Sequence, residues 1–213
     1  MTFQALRIAV GVLLVCLSHA TLATPPAPAA LIQWEAADGG NGHLYEAILF
    51  DSPITWETAN TDANSKGGEL VSISSFEENA FVFSLIDSPE YWTPAAPHNF
   101  GPWIGGYQID SNSEPGGNWA WTDGTPWGFT AWAGGQPDNN GAAEHHAHYF
   151  VPSNSRAATW NDWTGGGLLI DGYVLEVIPE PSSAILLACG LLGLWGRANK
   201  LRTTIGAPRM SAT

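Results

Sequence analysis

The 213-residue chain has only two cysteines, Cys16 and Cys189, so everything between them is free of thiols. That excludes a disulfide framework, a thiolate nucleophile and a cysteine-built zinc site from its interior. Basic residues are nearly as scarce. Between residues 31 and 178 only Lys66 and Arg156 stand against nineteen aspartates and glutamates, which leaves this stretch at −17. A surface of that sign repels nucleic acid and anionic lipid and attracts divalent cations. Long apolar runs are missing too: Ala184 to Gly196 holds thirteen residues, against the ~20 that a membrane-spanning helix needs. Tryptophan, by contrast, is abundant. Eleven tryptophans and a low density of charge argue against disorder despite 24 glycines. Stability must therefore come from an aromatic core, helped by any metal the acidic surface holds.

The two ends read as processing signals. Residues 1–23 carry Arg7, a short apolar run from Ile8 to Leu17, and small residues at Ser18, Ala20 and Ala23. This is the layout of a secretory signal peptide. Residues 24–30, TPPAPAA, form an extended spacer. At the other end, residues 179–202 join a Pro179-Glu180-Pro181 turn to the short apolar stretch and to Arg197, Lys200 and Arg202, with 203–213 as a cytoplasmic tail. This segment resembles the PEP-CTERM sorting signals of Gram-negative bacteria. The resemblance implies recognition by an exosortase, transient membrane association and removal of the tail. The expected location is export through the inner membrane to the cell surface or extracellular matrix.

Residues 31–178 are the size of one domain, about 150 residues. LIQWEA and GHLYEAILF read as strands around the turn ADGGNG. Ile54, Trp56, Ala59 and Ala63 mark one face of a first helix that Gly67-Gly68 ends. ELVSIS is a short buried strand. A capping box, Ser75 with Glu78, opens a second helix, with Phe76, Ala80, Phe81 and Leu85 at helical spacing. Beyond Pro89 helical periodicity disappears. Eight tryptophans fall between Tyr91 and Trp163, with strands predicted at PWIGGYQI, NWAWTDG, HAHYFVP, ATWND and YVLEVI. Two helices followed by a half built of strands and loops predict an α+β domain.

The heptapeptide GGQPDNN (134–140) has a turn composition. It also offers two side-chain oxygens, from Gln136 and Asp138, to a hard cation, with Pro137 directing them. The order and spacing of ITWETANTDANSKGGELVSISSFEEN, WIGG (103–106), WAWTDGTPWGFTAW (119–132), GGQPDN, WND (160–162) and YVLE (173–176) resemble the C-type lectin-like domain across 31–178. The resemblance implies a double-looped α+β fold with two helices and small antiparallel sheets, here without disulfides, whose long loop carries a calcium site. It implies Gln136, Asp138, Glu144, Asn161 and Asp162 as calcium ligands that also bind a carbohydrate, with Pro137 as a cis proline. The Gln-Pro-Asp triplet leans toward a galactose-type ligand. Asn140 stands where an aromatic ring for stacking on the sugar is common, which leaves Trp127 or Trp163 to approach from elsewhere. Asn139 stands where domains with a second calcium carry aspartate. His146 falls near a missing cysteine.

His145, His146 and His148 suggest a transition metal, but only His146 and His148 share a side in a strand. They read as surface residues. No arrangement of Ser, His and Asp carries a nucleophile motif, so an enzyme is not expected. The expected function is calcium-dependent carbohydrate binding by an exported bacterial protein, in surface or matrix adhesion. The alternative is a calcium-stabilised protein–protein adhesion module that binds no sugar.

Overall fold

The computed structural model describes residues 30–110, 112–166 and 169–179. The expected signal peptide, the spacer up to residue 29, and the expected sorting signal from Glu180 onward lie outside the described residues.

In chain order the strands are β1 (Ile32–Gln33), β2 (Leu44–Leu49), β3 (Glu69–Leu70), β4 (Thr93–Ala95), β5 (His98–Gln108), β6 (Trp119–Trp121), β7 (His146–Val151), β8 (Trp160–Trp163) and β9 (Gly172–Val177). Helices α1 (Trp56–Ser65) and α2 (Phe76–Ile86) flank β3. The fold is α+β, as its pattern predicts. The expected small antiparallel sheets are joined into one network in the order β1-β2-β9-β5-β7-β8. The join is a single parallel contact, Trp103 beside Tyr173, between β5 and β9. Every other named pairing is antiparallel.

α1 is capped by the Thr55 hydroxyl, which accepts from the Thr58 N–H, and it ends at Gly67, whose φ of 79° only glycine adopts freely. Trp56, Ala59 and Ala63 are buried, the predicted face. α2 differs from expectation. Half of its predicted capping box forms, Ser75 accepting from the Glu78 N–H at 3.1 Å, while the Glu78 carboxylate turns to Ser74 and not to the Ser75 N–H. Its buried face, however, is Glu78, Asn79, Val82 and Ile86, while Phe76 is 70% exposed. Two polar residues set the phase. Glu78 accepts from the Tyr45 hydroxyl at 2.7 Å and from Ser74 at 2.7 and 2.6 Å. Asn79 accepts from the Tyr149 hydroxyl and the Trp160 indole, and donates to the Ala158 carbonyl. Buried polar groups persist only when so satisfied, and these hydrogen bonds outweigh the apolar stripe.

The tryptophans form the core beneath the loop half. Trp119 and Trp121 lie on one face of β6, as their spacing requires, and pack with Trp127, Trp132 and Trp160 at centroid distances of 4.4–6.3 Å. Trp127 thus belongs to the core. Trp103 and Ile104 are fully buried, and Trp103 and Trp56 bind the backbone carbonyls of Ile54 and Ile104 respectively. These ties carry the load that disulfides carry elsewhere, since the described residues contain no cysteine.

Candidate functional site

The long loop after β6 returns to the sheet just before β7, and the five residues expected to act together meet there. The Gln136–Pro137 peptide is cis. Asp162 on β8 is fully buried, and its carboxylate holds the loop by accepting from the backbone N–H groups of Asp138 at 3.1 Å and Asn139 at 2.7 Å. Glu144, 3% exposed, accepts from the Asn140 N–H at 2.9 Å. Asn139 turns left-handed (φ 47°) and its side-chain oxygen accepts from the Glu144 N–H, so this residue closes the loop on itself.

These contacts bring carboxylate oxygens of Asp138, Glu144 and Asp162 within 4.8 Å of one another. Like charges so close repel. Burial, then Asp162 and Asp138, push the Glu144 carboxyl up to about 8 against the pull of the Asn140 N–H. Burial also raises Asp162. Among the described residues no basic side chain relieves the cluster: Lys66 pairs with Asp62 and Arg156 with Asp87. Two amide oxygens, Gln136 Oε1 and Asn161 Oδ1, are buried with no hydrogen-bond donor. Orphaned amide oxygens beside crowded carboxylates fit a hard divalent cation, whose ligands are oxygens and whose charge offsets the repulsion.

The site opens into a cleft of about 310 Å³ with two unlike halves. One is polar, from Gln136, Asp138, Asn140, Glu144 and Asn161; the other is aromatic, from His98, Phe100, Phe150 and Trp163. Of the two tryptophans expected to approach from elsewhere, Trp163 lines the cleft. His98, Phe100 and Phe150 were not expected from sequence. Their signal was the period-two alternation His98/Phe100 and His148/Phe150 on strands paired Phe100 to Phe150.

The histidines correct the expectation of surface residues. His146 and His148 share a side of β7 but turn inward. His148 is fully buried, stacked on Phe100 at 5.6 Å with an interplanar angle of 2°, and its Nε2 faces Asn161 Nδ2 at 3.3 Å. Burial lowers it to about 3. His146 packs on Trp56 at 4.5 Å, and burial lowers it to about 4, opposed by Glu57. His145 points away, 3.0 Å from Glu114. Among the described residues the three carboxylates are the metal-compatible cluster, and no histidine joins it.

The family model described as the lectin C-type domain matches residues 52–165. The galactose-specific lectin nattectin of Thalassophryne nattereri is 33% identical over 109 residues, covering 51% of this chain and 60% of that protein. A perlucin-like protein of Mytilus galloprovincialis is 32% identical over 108 residues, covering 50% and 60%. The chain thus spans about 60% of the length of these curated relatives. Herring type II antifreeze protein shares the fold, with a TM-score of 0.50 at 22% identity over 66% of this chain and 94% of that one. With more than half of its length matched by the family model, the chain belongs to the lectin C-type domain family, whose members are generally binding proteins rather than enzymes.

Proposed function

We propose that this protein binds one calcium ion through Gln136, Asp138, Glu144, Asn161 and Asp162, and a galactose-type saccharide at the same place. The observation that carries the reading is the pair of buried, donorless amide oxygens of Gln136 and Asn161 beside three carboxylates that no basic residue among the described ones neutralises. Bound calcium would supply open coordination positions for two neighbouring sugar hydroxyls. The chain's own part is to accept hydrogen bonds from those hydroxyls with the carboxylate oxygens and to donate to them with the Gln136 amide, the Asn161 amide nitrogen being turned to His148 and the Asp162 carbonyl. Asp162 acts from beneath, keeping Asp138 and Asn139 in place through their backbone N–H groups. The Gln136-Asp138 pair and the likeness to a galactose-specific lectin support the sugar class. We place this activity outside the cell, in adhesion to a surface or matrix glycan, after an exosortase removes the C-terminal segment. Single-sugar affinity is expected to be weak, so adhesion depends on many copies.

The test is calcium titration of the purified protein with thermal melting, followed by binding to galactose-coated resin. One equivalent bound, with a dissociation constant of ~0.1–1 mM, raises stability by about 2.7 kcal/mol at one hundred times that concentration. Chelator-released retention on the resin completes the expected result, and Asp138→Ala loses both effects. Calcium binding without competition by any sugar supports the calcium-stabilised protein–protein module instead. No calcium bound at several millimolar overturns the site.

A further inference from the structure

A second cleft, of about 340 Å³, shares no residue with the one at the acidic loop. One wall is a face of α1, where Trp56, Asn60 and Asn64 follow at helical spacing. The other is Glu69 from β3, Tyr107 from β5 and Thr122 just after β6. Hydrogen bonds made inside the protein decide what this cleft offers. The Trp56 indole N–H is spent on the Ile104 carbonyl at 2.9 Å, and the Thr122 hydroxyl donates to the Leu70 carbonyl at 3.3 Å. Asn64 Nδ2 donates to the Asn60 carbonyl at 2.7 Å and to Asn60 Oδ1 at 3.2 Å, which leaves Asn64 Oδ1 as an acceptor. Donors are thus largely consumed and acceptors remain. Glu69 adds a carboxylate, while every ion pair among the described residues is made by another one. Half-buried Tyr107 supplies an open ring, backed by Trp56 at 5.9 Å. An unpaired carboxylate, spare acceptors and a ring, in a stretch carrying −17, suit a cation that brings its own donors. One carboxylate is too few for a metal ion, and among the described residues the metal-compatible cluster lies at the acidic loop. The cation that fits is organic.

We propose that this cleft binds an alkylammonium or guanidinium group, carried either by a lysine or arginine side chain of a partner protein or by a free amine. Such binding needs neither calcium nor sugar, so it is measured in chelator and stands apart from the outcome of the calcium titration. NMR of the purified protein follows the Trp56 indole and Thr122 amide N–H resonances as ligand is added. The probes are N-acetyl-arginine methylamide, N-acetyl-lysine methylamide, the neutral citrulline analogue and n-butylamine. Both cationic amides saturate with dissociation constants on the order of 1–10 mM, and the citrulline analogue binds at least about tenfold more weakly. Glu69→Gln weakens the cations about tenfold, the loss of a charge-assisted hydrogen bond, and Tyr107→Leu about two- to fivefold. Asn60→Lys places a cation of the chain in the cleft and abolishes binding. A dispersed spectrum verifies that each variant is folded. Blocked lysine binding more tightly than n-butylamine supports the protein side chain as the source, and equal binding supports the free amine. Equal binding of the citrulline analogue, an affinity that survives both Glu69→Gln and Asn60→Lys, or no saturation by about 50 mM overturns the site.

Discussion

Glu144→Gln tests the electrostatics of the loop most directly. The wild-type carboxyl is buried between Asp138 and Asp162 and is pushed up to about 8 from an ordinary value near 4.5. Its folded pKa is raised, so the folded protein holds the proton more tightly than the unfolded chain. The associated stability is complete below about pH 4.5 and is lost as pH rises through about 8. Asp162 and Glu176, also raised by burial, act with the same sign. His146 and His148 act oppositely, being depressed to about 4 and about 3, but their effect ends once the unfolded imidazoles are neutral. Between pH 7 and 8.5 Glu144 therefore dominates. Metal-free wild type loses melting temperature across this window, and Glu144→Gln, which keeps the shape without the charge, stays level. Calcium shows the converse. About half of Glu144 is ionised at pH 8 but about 1% at pH 6, so a cation that displaces its proton binds about fifty-fold more weakly at pH 6. Calorimetry in chelator-treated buffers at pH 6, 7 and 8 reads this. Equal affinity at pH 6 and 8, or a metal-free protein that gains stability from pH 7 to 8.5, would refute the assignment.

Three further outcomes follow from contacts away from the acidic cluster. Asn79→Ala strands the Tyr149 hydroxyl, the Trp160 indole and the Ala158 carbonyl in the interior; a loss of about 3–5 kcal/mol is expected in urea unfolding, and a loss below 1 kcal/mol would contradict the network. His146 and His148 remain neutral from pH 6 to 8, so their imidazole carbon and nitrogen resonances stay fixed in an NMR titration over that range. Gly165 has a φ of 75°, and a Cβ there would lie 2.7 Å from His146 Nδ1. Gly165→Ala should destabilise by about 1–3 kcal/mol, measured by thermal melting, and Glu57→Ala in the same background should not restore it.

Much of this structure was legible in the sequence because the residues concerned answer to local rules. Caps at Thr55 and Ser75, the glycine stop after α1 and the paired tryptophans of β6 each follow from a few neighbouring residues. The candidate metal loop was legible through the order and spacing by which GGQPDN and WND resemble the C-type lectin-like domain; carboxylate and amide oxygens suit a hard cation, but the chain carries many of both, and residue type alone does not single out Gln136, Asp138, Glu144, Asn161 and Asp162. What was not legible depended on partners distant in sequence. The burial of Glu78 and Asn79 depends on Tyr45, Tyr149 and Trp160, which arrive from 33, 70 and 81 residues away. The parallel contact of β5 with β9 likewise joins Trp103 to Tyr173.

The aromatic wall shows a deeper limit of the same kind. Phe100, Phe150 and Trp163 are ordinary core formers by type, and nothing local distinguishes a ring that fills an interior from one that lines a cleft. The distinction comes from register. Phe100 meets Phe150 because β5 and β7 pair at that position, and the irregularities between Phe100, Trp103 and Tyr107 shift the remainder of β5 against β7. A one-residue slip in that pairing would send Phe100 to the opposite face and close the aromatic half, while leaving the acidic loop, which hangs from Asp162, its own anchor. The acidic loop and the aromatic wall are therefore separable features of this domain, the first anchored by Asp162 and the second set by strand register.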